Sequence, residues 1–317
     1  MELQPIIPFE PIRVDDLPAG PGWVAQVKWD GVRILTYSDG REVHLFNRRR
    51  NNRTLHYPEL VDVSAYSTAK SVIYDGEVIA WRRGKPSFFE VMKRDAVRRQ
   101  SAIRSVVQQV PVTYMIFDIL YLDGEWLTSL PLQKRQALLA EVTRPTDRIQ
   151  LVQNFDDAEG LYNAVRQQGL EGIVVKDLAS TYPLNGRDGR WRKKKVYRDV
   201  VAAVGGVTLR DGVVNALLLG LYDTEGRLWY VGHVGTGKLS HQDWLRLTEG
   251  IAPLRQMDMP FVVKPPRSAG AVWLKPTLAV KVQFADWTDG RTLRQPSIQA
   301  FVPMDVRECR FEESEAP

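Results

Sequence analysis

Runs of β-branched and aromatic residues, cut at intervals by Asp-Gly and Glu-Gly pairs, narrow the choice of fold more than anything else in this chain. Val112-Thr113-Tyr114-Met115-Ile116-Phe117-Asp118-Ile119-Leu120-Tyr121 has strand composition and reads as a central strand. Ser71 to Ala80 reads as another, with Ile73, Asp75, Glu77 and Ile79 on one side by the period of two. Arg33 to Tyr37 and Glu42 to Phe46 flank Asp39-Gly40 as a hairpin. Trp23 to Val27 alternates and predicts a strand ending near Lys28, and Ile173-Val174-Val175 predicts a buried strand bracketed by Glu171 and Lys176. Helical signals are fewer. Ser87-Phe88-Phe89-Glu90 is a capping box, Leu132 to Val142 has helical apolar spacing, and Asp156 to Gln168 reads as a helix stopped by Gly169. Residues 1–22 are proline-rich and read as an extended lead-in along the surface.

From Asp199 the texture changes. Val200 to Val207, Ala216 to Tyr222, Leu228 to Val234, Val262-Val263 and Leu278 to Phe284 read as short strands between turn signals such as Asp211-Gly212, with one helix around Leu239 to Ile251. That spacing suggests a small all-β barrel. The chain therefore reads as α+β in two domains: residues 1–199 with antiparallel sheets and flanking helices, and residues 200–317 as a barrel with an acidic end from Glu312.

The 317 residues, 44% hydrophobic and 26% charged, are ordinary for two globular cores. No apolar run is long enough to span a bilayer, and Met1-Glu2-Leu3-Gln4-Pro5 lacks a secretory n-region. A single cysteine, Cys309, rules out an internal disulfide and a four-cysteine zinc site. The expected setting is a reducing cytoplasm, with no membrane association and a monomeric chain. Net charge is +5 with a pI near 9.2, and the charge is clustered. Arg48-Arg49-Arg50, Arg82-Arg83-Lys85, Lys93-Arg94 and the stretch Arg187 to Arg198 form basic knots, the footprint of a polyanion binder.

The chemistry concentrates in Lys28-Trp29-Asp30-Gly31-Val32-Arg33. The alternation predicts that Lys28 and Asp30 share a face, that Gly31 lets the backbone turn close to a ligand, and that Arg33 offers its fork of donors to phosphate or ribose oxygens. Taken alone the segment is equally a surface hairpin with an Asp-Gly turn. Arg190-Trp191-Arg192-Lys193-Lys194-Lys195 would put Trp191, Lys193 and Lys195 on one strand face and Arg192 and Lys194 on the other. Such a run repels itself unless an anion sits there. Phe117 reads either as a core residue or as a stacking platform for a base.

Lys28-x-Asp-Gly-x-Arg33, Asp75-Gly-Glu77, Phe117-Asp118, Glu171-Gly-Ile-Val-Val-Lys176 and Trp191-x-Lys-x-Lys195, in this order, resemble the motif set of the covalent nucleotidyltransferases, and within them the ATP-dependent DNA ligases. Tyr230-Val-Gly-His-Val-Gly-Thr-Gly237 and Val280 to Ser297 are similar to the OB-fold of bacterial end-joining ligases of the ligase D and ligase C type. The resemblance implies a nucleotidyltransferase (adenylation) domain followed by an OB-fold β-barrel. It implies ATP as cofactor, AMP carried covalently on Lys28, Mg²⁺ or Mn²⁺, and sealing of 5′-phosphate/3′-hydroxyl nicks or ends in double-stranded DNA. A Ku-like end-binding protein or a repair polymerase is the implied partner.

By the same resemblance Arg33 and Glu77 bind the ribose, Phe117 stacks on adenine, and Gln26 accepts from the adenine amino group where many relatives carry glutamate. Arg48 contacts ribose or phosphate, Glu171 positions a metal with Glu77, and Lys176, Lys193 and Lys195 hold the α-phosphate. Asp30 serves later steps, and Arg294 leads into the element that engages pyrophosphate. A free lysine has a pKa of about 10.4, so deprotonating Lys28 near neutral pH costs roughly 4–5 kcal/mol, which neighbouring cations would lower. Relatives often end in Arg-x-Asp-Lys, whereas Pro303-Met304-Asp305-Val306 keeps only the aspartate, and Lys281 stands at a position that is often acidic. Alternatives within reach are an RNA ligase or capping enzyme and a non-catalytic nick-binding adapter. The absence of zinc-module cysteines argues against an NAD-dependent ligase.

Overall fold

The computed structural model describes residues 4–311; the acidic end from Glu312 lies outside them. The chain divides into two compact units between Val196 and Tyr197. This falls a few residues before the expected boundary at 199/200, because the strand Arg198–Arg210 pairs from its first residue, Arg198 lying opposite Phe284.

Two sheets build the first unit. The larger runs Val43–Asn47, Val32–Ser38, Val72–Arg82, Val112–Leu122, Glu125–Trp126, with Ile149–Leu151 parallel to Val112–Leu122. The smaller runs Glu10–Arg13, Arg187–Lys195, Gly172–Asp177, Trp23–Val27. Here the lead-in does more than wrap the surface: Glu10–Arg13 pairs in parallel with Arg187–Lys195, and Phe9 is fully buried. One face of the larger sheet and one face of the smaller share a core of Leu35, Tyr37, Ile73 and Leu120 with Phe9, Tyr182 and Trp191. The outer face of the smaller sheet, Ala25, Ile173 and Val175, packs on Leu161 and Val165 of the helix Ala158–Gln167. The other face of the larger sheet buries Ile34, Tyr74, Val78 and Tyr114 with Val91 and Leu139 from two helices, Phe88–Asp95 and Leu132–Val142.

The helix signals translate with one change. Ser87 Oγ accepts from the Glu90 backbone, but the Ser87 N–H donates to the Ala80 carbonyl at 2.8 Å in place of the Glu90 side chain, which pairs with Lys93 at 2.8 Å. The helix stops at Asp95, and a second one, Gln100–Gln109, follows. Gly169 has φ +66°, the left-handed conformation that ends a helix without a Cβ clash.

The second unit is a curled sheet in the order Leu228–Val234, Val213–Tyr222, Arg198–Arg210, Ala279–Phe284, Ser297–Val302. Gly237 bridges Ile298, so the two edges meet as in a barrel. Its core includes Val207, Leu217, Val231, Val280, Phe284 and Ile298. The helix His241–Gly250 opens on a reciprocal Ser240/Asp243 capping box. The expected strand at Val262-Val263 does not form. Both residues are exposed, only Phe261 bridges Leu228, and the nearby Pro260, Pro265 and Pro266 cannot donate to a ladder. Asp305 caps the short 3₁₀ turn Val306–Glu308 through the Arg307 N–H. Lys281 pairs with Asp199 at 3.3 Å. No helix among the described residues is long and apolar enough to cross a membrane.

Candidate active site

Lys28 stands where a strand lets go of its sheet. Its N–H makes a last rung to the Gly172 carbonyl at 2.9 Å, and residues 28–31 then leave the strand geometry. Strand alternation therefore does not pair Lys28 with Asp30, although the Asp30 carboxylate still acts on the Lys28 ammonium. Gly31 lies close against the protein: a β-carbon there would lie 2.2 Å from the Val78 carbonyl oxygen. Only glycine lets this loop lie down on the strand Val72–Arg82.

Glu171, one residue before the strand Gly172–Asp177, is the centre of the cluster. Lys28 Nζ donates to one of its oxygens at 2.6 Å, and Lys195 Nζ lies 2.8 Å from the other. The ladder explains the assembly. Gly172 is opposite Lys195, Val174 opposite both Lys193 and Gln26, and Lys176 opposite Trp191. Paired residues share a face, so Gln26, Val174, Lys176, Trp191, Lys193 and Lys195 all point into the cleft. On the reverse face Arg192 lies 4.6 Å over the Trp23 ring and Lys194 4.6 Å over Tyr162. The cationic strand thus relieves its own repulsion by alternating its charges between a carboxylate and two aromatic faces.

Electrostatics in the cleft are strongly perturbed. Burial alone would lower the Lys28 pKa, but the carboxylates of Glu171, Glu77 and Asp30 outweigh it and raise the pKa. Glu171 is held below its ordinary value because Lys28 and Lys195 outweigh the cost of its burial. Burial pushes Glu77 up to about 8 against the pull of Lys28 and Arg33. Lys193 is lowered by burial and by the neighbouring Lys28 and Lys195 charges.

Arg33 departs from expectation. Its Nε and Nη2 donate to the two oxygens of the fully buried Asp75 at 2.8 and 2.6 Å, and its Nη1 donates to the Phe9 carbonyl at 2.7 Å. The fork is taken by the protein and is not presented to ribose. Asp75 also accepts from the Tyr182 hydroxyl at 2.6 Å. Lys176 departs as well. Its Nζ sits 3.9 Å over the Trp191 ring and 4.3 Å over the Phe117 ring, with no hydrogen-bond partner among the described residues. Burial pushes its pKa down to about 7.

That lysine carries a stability prediction. Between about 7 and its ordinary 10.5 the unfolded chain binds a proton that the folded chain does not. Stability therefore climbs with pH through that window and levels off on either side. Lys176→Met removes the effect and is expected to stabilise the protein at pH 7 by on the order of 2–5 kcal/mol. Urea unfolding at pH 7 and pH 9.5 checks this; equal pH slopes for wild type and variant would refute it.

The remaining expected residues are spread more widely. Gln26 is buried, and its Nε2 donates to Asn154 Oδ1 at 2.7 Å, a partner with no motif around it. Phe117 is half-buried, its ring centre 6.0 Å from that of Trp191 in an edge contact. Arg48 is exposed, 3.7 Å from Glu10. Arg294 belongs to the second unit, opposite Asp286 in a two-stranded ribbon. Among the described residues no group of three or more His, Cys, Asp or Glu gathers as a metal cage. Glu171 and Glu77 are hard oxygen donors beside Lys28, and a Mg²⁺-type ion needs only one or two carboxylates when substrate phosphates complete its shell.

A lysine-centred cleft between two sheets, followed by a curled β-barrel, is the architecture of a nucleotidyltransferase domain with an OB-fold domain. Comparison with known proteins agrees. A family model for the ATP dependent DNA ligase domain matches residues 16–195, and one for the ATP dependent DNA ligase C terminal region matches residues 210–302. The chain belongs to the ATP-dependent DNA ligase family. It is 32% identical over 288 residues to the multifunctional non-homologous end joining protein LigD of Mycobacterium bovis, covering 89% of this chain and 36% of that protein. It is 30% identical to a DNA ligase of Thermococcus onnurineus, covering 72% and 43% of the two chains. This chain thus spans well under half of either relative. Among solved structures, a mycobacterial DNA ligase D complexed with ATP superposes with a TM-score of 0.52 at 29% identity, over 97% of this chain and 98% of the other. A Lig E DNA ligase superposes at 0.60 with 18% identity, over 92% and 99% of the two chains, a likeness of fold.

Proposed function

We propose that this chain seals 5′-phosphate/3′-hydroxyl breaks in double-stranded DNA at the expense of ATP, through AMP bound covalently to Lys28. The observation that carries the reading is the convergence on Glu171 of Lys28 and Lys195, with Glu77, Asp30 and Lys193 around them. An amine nucleophile, cations for a phosphate and carboxylates for a metal thus meet in one cleft.

In the free cleft the carboxylates of Glu171, Glu77 and Asp30 hold the Lys28 proton more tightly than the neighbouring cations loosen it. In the first step Lys28, once those carboxylates are engaged by a bound cation, releases that proton to solvent and its nitrogen attacks the α-phosphorus; an N–P bond forms, the bond to the α,β-bridging oxygen breaks, and pyrophosphate leaves with that electron pair. Lys193 and Lys195 face the same cleft and balance charge on the transferring phosphate. Next, a 5′-phosphate oxygen attacks the same phosphorus and expels Lys28, giving AMP linked to the DNA. The 3′-hydroxyl then attacks the 5′-phosphorus and AMP departs. Glu171 and Glu77 would hold Mg²⁺ or Mn²⁺, which supplies further charge stabilisation on the phosphates. The carbonyl oxygen of Gln26 is the acceptor for the adenine amino group, and Phe117 is the stacking partner of the base. The LigD likeness supports a role in end joining, for which a Ku-like end-binding protein or a repair polymerase is the fitting partner.

Intact mass before and after ATP with Mg²⁺, followed by a nicked duplex, tests the reading. The expected result is a gain of one AMP, lost again as joined DNA appears, with nicked RNA a poor substitute. No adduct even with Mn²⁺, after pyrophosphate has stripped any resident AMP, would leave the nick-binding adapter in its place.

A further inference from the structure

An aromatic ledge stands beside Lys28 that the adenylation chemistry does not use. Trp29, the residue after Lys28, meets Trp81 edge to face with ring centres 6.2 Å apart and planes at 71°. Trp81 is 48% exposed, near the end of the strand that carries Glu77, and is anchored by its indole N–H to Thr113 Oγ1 at 3.3 Å. The Trp29 indole nitrogen is buried and without a hydrogen-bond partner among the described residues. Burying that nitrogen unpaired has a cost, which packing of the ring, including the edge contact with Trp81, must offset. Directly after Trp81 the chain makes a tight hairpin, with Arg83 at φ +49° and Trp81 opposite Pro86. The hairpin reaches back to the cleft: a β-carbon on Gly169, two residues before Glu171, would lie 3.0 Å from Lys85 Nζ. Arg83 and Lys85 are exposed and make the same hairpin cationic.

An exposed, anchored indole on a cationic hairpin, next to a phosphate-handling amine, matches the combination that holds unstacked bases: a π-face for the base and charge for its backbone. We propose that Trp81, braced by Trp29, is a base-stacking residue that grips the nucleotide beside the strand break while Lys28 hands its AMP to the 5′-phosphate. The inference rests on the DNA-ligase reading.

The test uses the full chain and a nicked duplex carrying 2-aminopurine at successive positions around the nick. Wild type should alter the fluorescence at one or two of those positions, and Trp81→Ala should abolish the change while Trp81→Phe keeps most of it. Nick affinity should fall by roughly tenfold in Trp81→Ala, with the salt dependence unchanged, because stacking releases no counterions. Arg83→Gln with Lys85→Gln should instead reduce the salt slope. The AMP adduct formed without DNA should be unaffected by Trp81→Ala, which also shows that the variant is folded. Wild-type nick binding that Trp81→Ala leaves intact overturns the ledge alone. Failure of wild type to bind nicked DNA at all overturns the ligase reading beneath it.

Discussion

Lys28→Ala is expected to gain no AMP from ATP under conditions where the wild-type chain is fully converted. The loss should exceed about 10⁴-fold, because no group replaces a deleted covalent nucleophile. Lys195 is the nearest candidate substitute, yet it is fixed at 2.8 Å on the other oxygen of Glu171. Lys193 lies opposite Val174, further along the strand. The variant should still join a nick whose 5′-phosphate already carries AMP, since that step needs no lysine nitrogen as nucleophile. Intact mass and denaturing gels on the two DNA substrates read both halves. An adduct on the alanine variant would move the nucleophile elsewhere. Failure on the pre-charged nick, in a folded variant, would show that Lys28 also orients the final attack.

Asp75→Ala is expected to be among the most destabilising single changes in the first unit, by about 3–5 kcal/mol. Asp75 is fully buried and accepts from two nitrogens of Arg33 and from Tyr182. Without it a largely buried guanidinium keeps, among the described residues, the Phe9 carbonyl and the Tyr182 hydroxyl as hydrogen-bond partners and the Phe117 and Trp191 rings beside it, with no carboxylate bonded to it. For a unit of this size the corresponding fall in Tm is about 10 °C. Replacing the pair together, Arg33→Met with Asp75→Leu, should cost less than Asp75→Ala alone, because no charge is then stranded. Thermal unfolding of the three variants decides it. A double variant worse than the single one would mean that the ion pair itself, and not the orphaned charge, is what the fold depends on.

Much of this was legible in the sequence because period and composition act locally. The strand Val112–Leu122, the helix Leu132–Val142 and the split of Arg192 and Lys194 from Lys193 and Lys195 follow from alternation or helical spacing alone. What was hidden depends on residues far apart in the chain. Arg33 reads as a free cation until Asp75, two strands' worth of sequence away, arrives beneath it. Lys176 reads as a phosphate ligand until Phe117 and Trp191 close over it. Asn154 and Tyr182 carry no local signal, and their roles come only from the loops that deliver them to Gln26 and Asp75. The strand Ser297–Val302 gives a weak local signal, since it alternates over only Ser297-Ile298-Gln299-Ala300, and its place is set by its partner Ala279–Phe284.

The pairing of Glu10–Arg13 with Arg187–Lys195 has a consequence for how the molecule comes into being. Early residues must wait for late ones: Phe9 cannot settle on Trp191, nor Arg33 reach its full set of partners, until the whole first unit has emerged from the ribosome. Contacts this distant in sequence form slowly, since loop closure must precede any reward. The strands of the larger sheet all lie before Val152, so that sheet is free to pair before Arg187–Lys195 is made. The cleft around Lys28 is therefore the last part of the unit to mature, and a chain that ends before Arg187 lacks the strand that brings Lys193 and Lys195 to it.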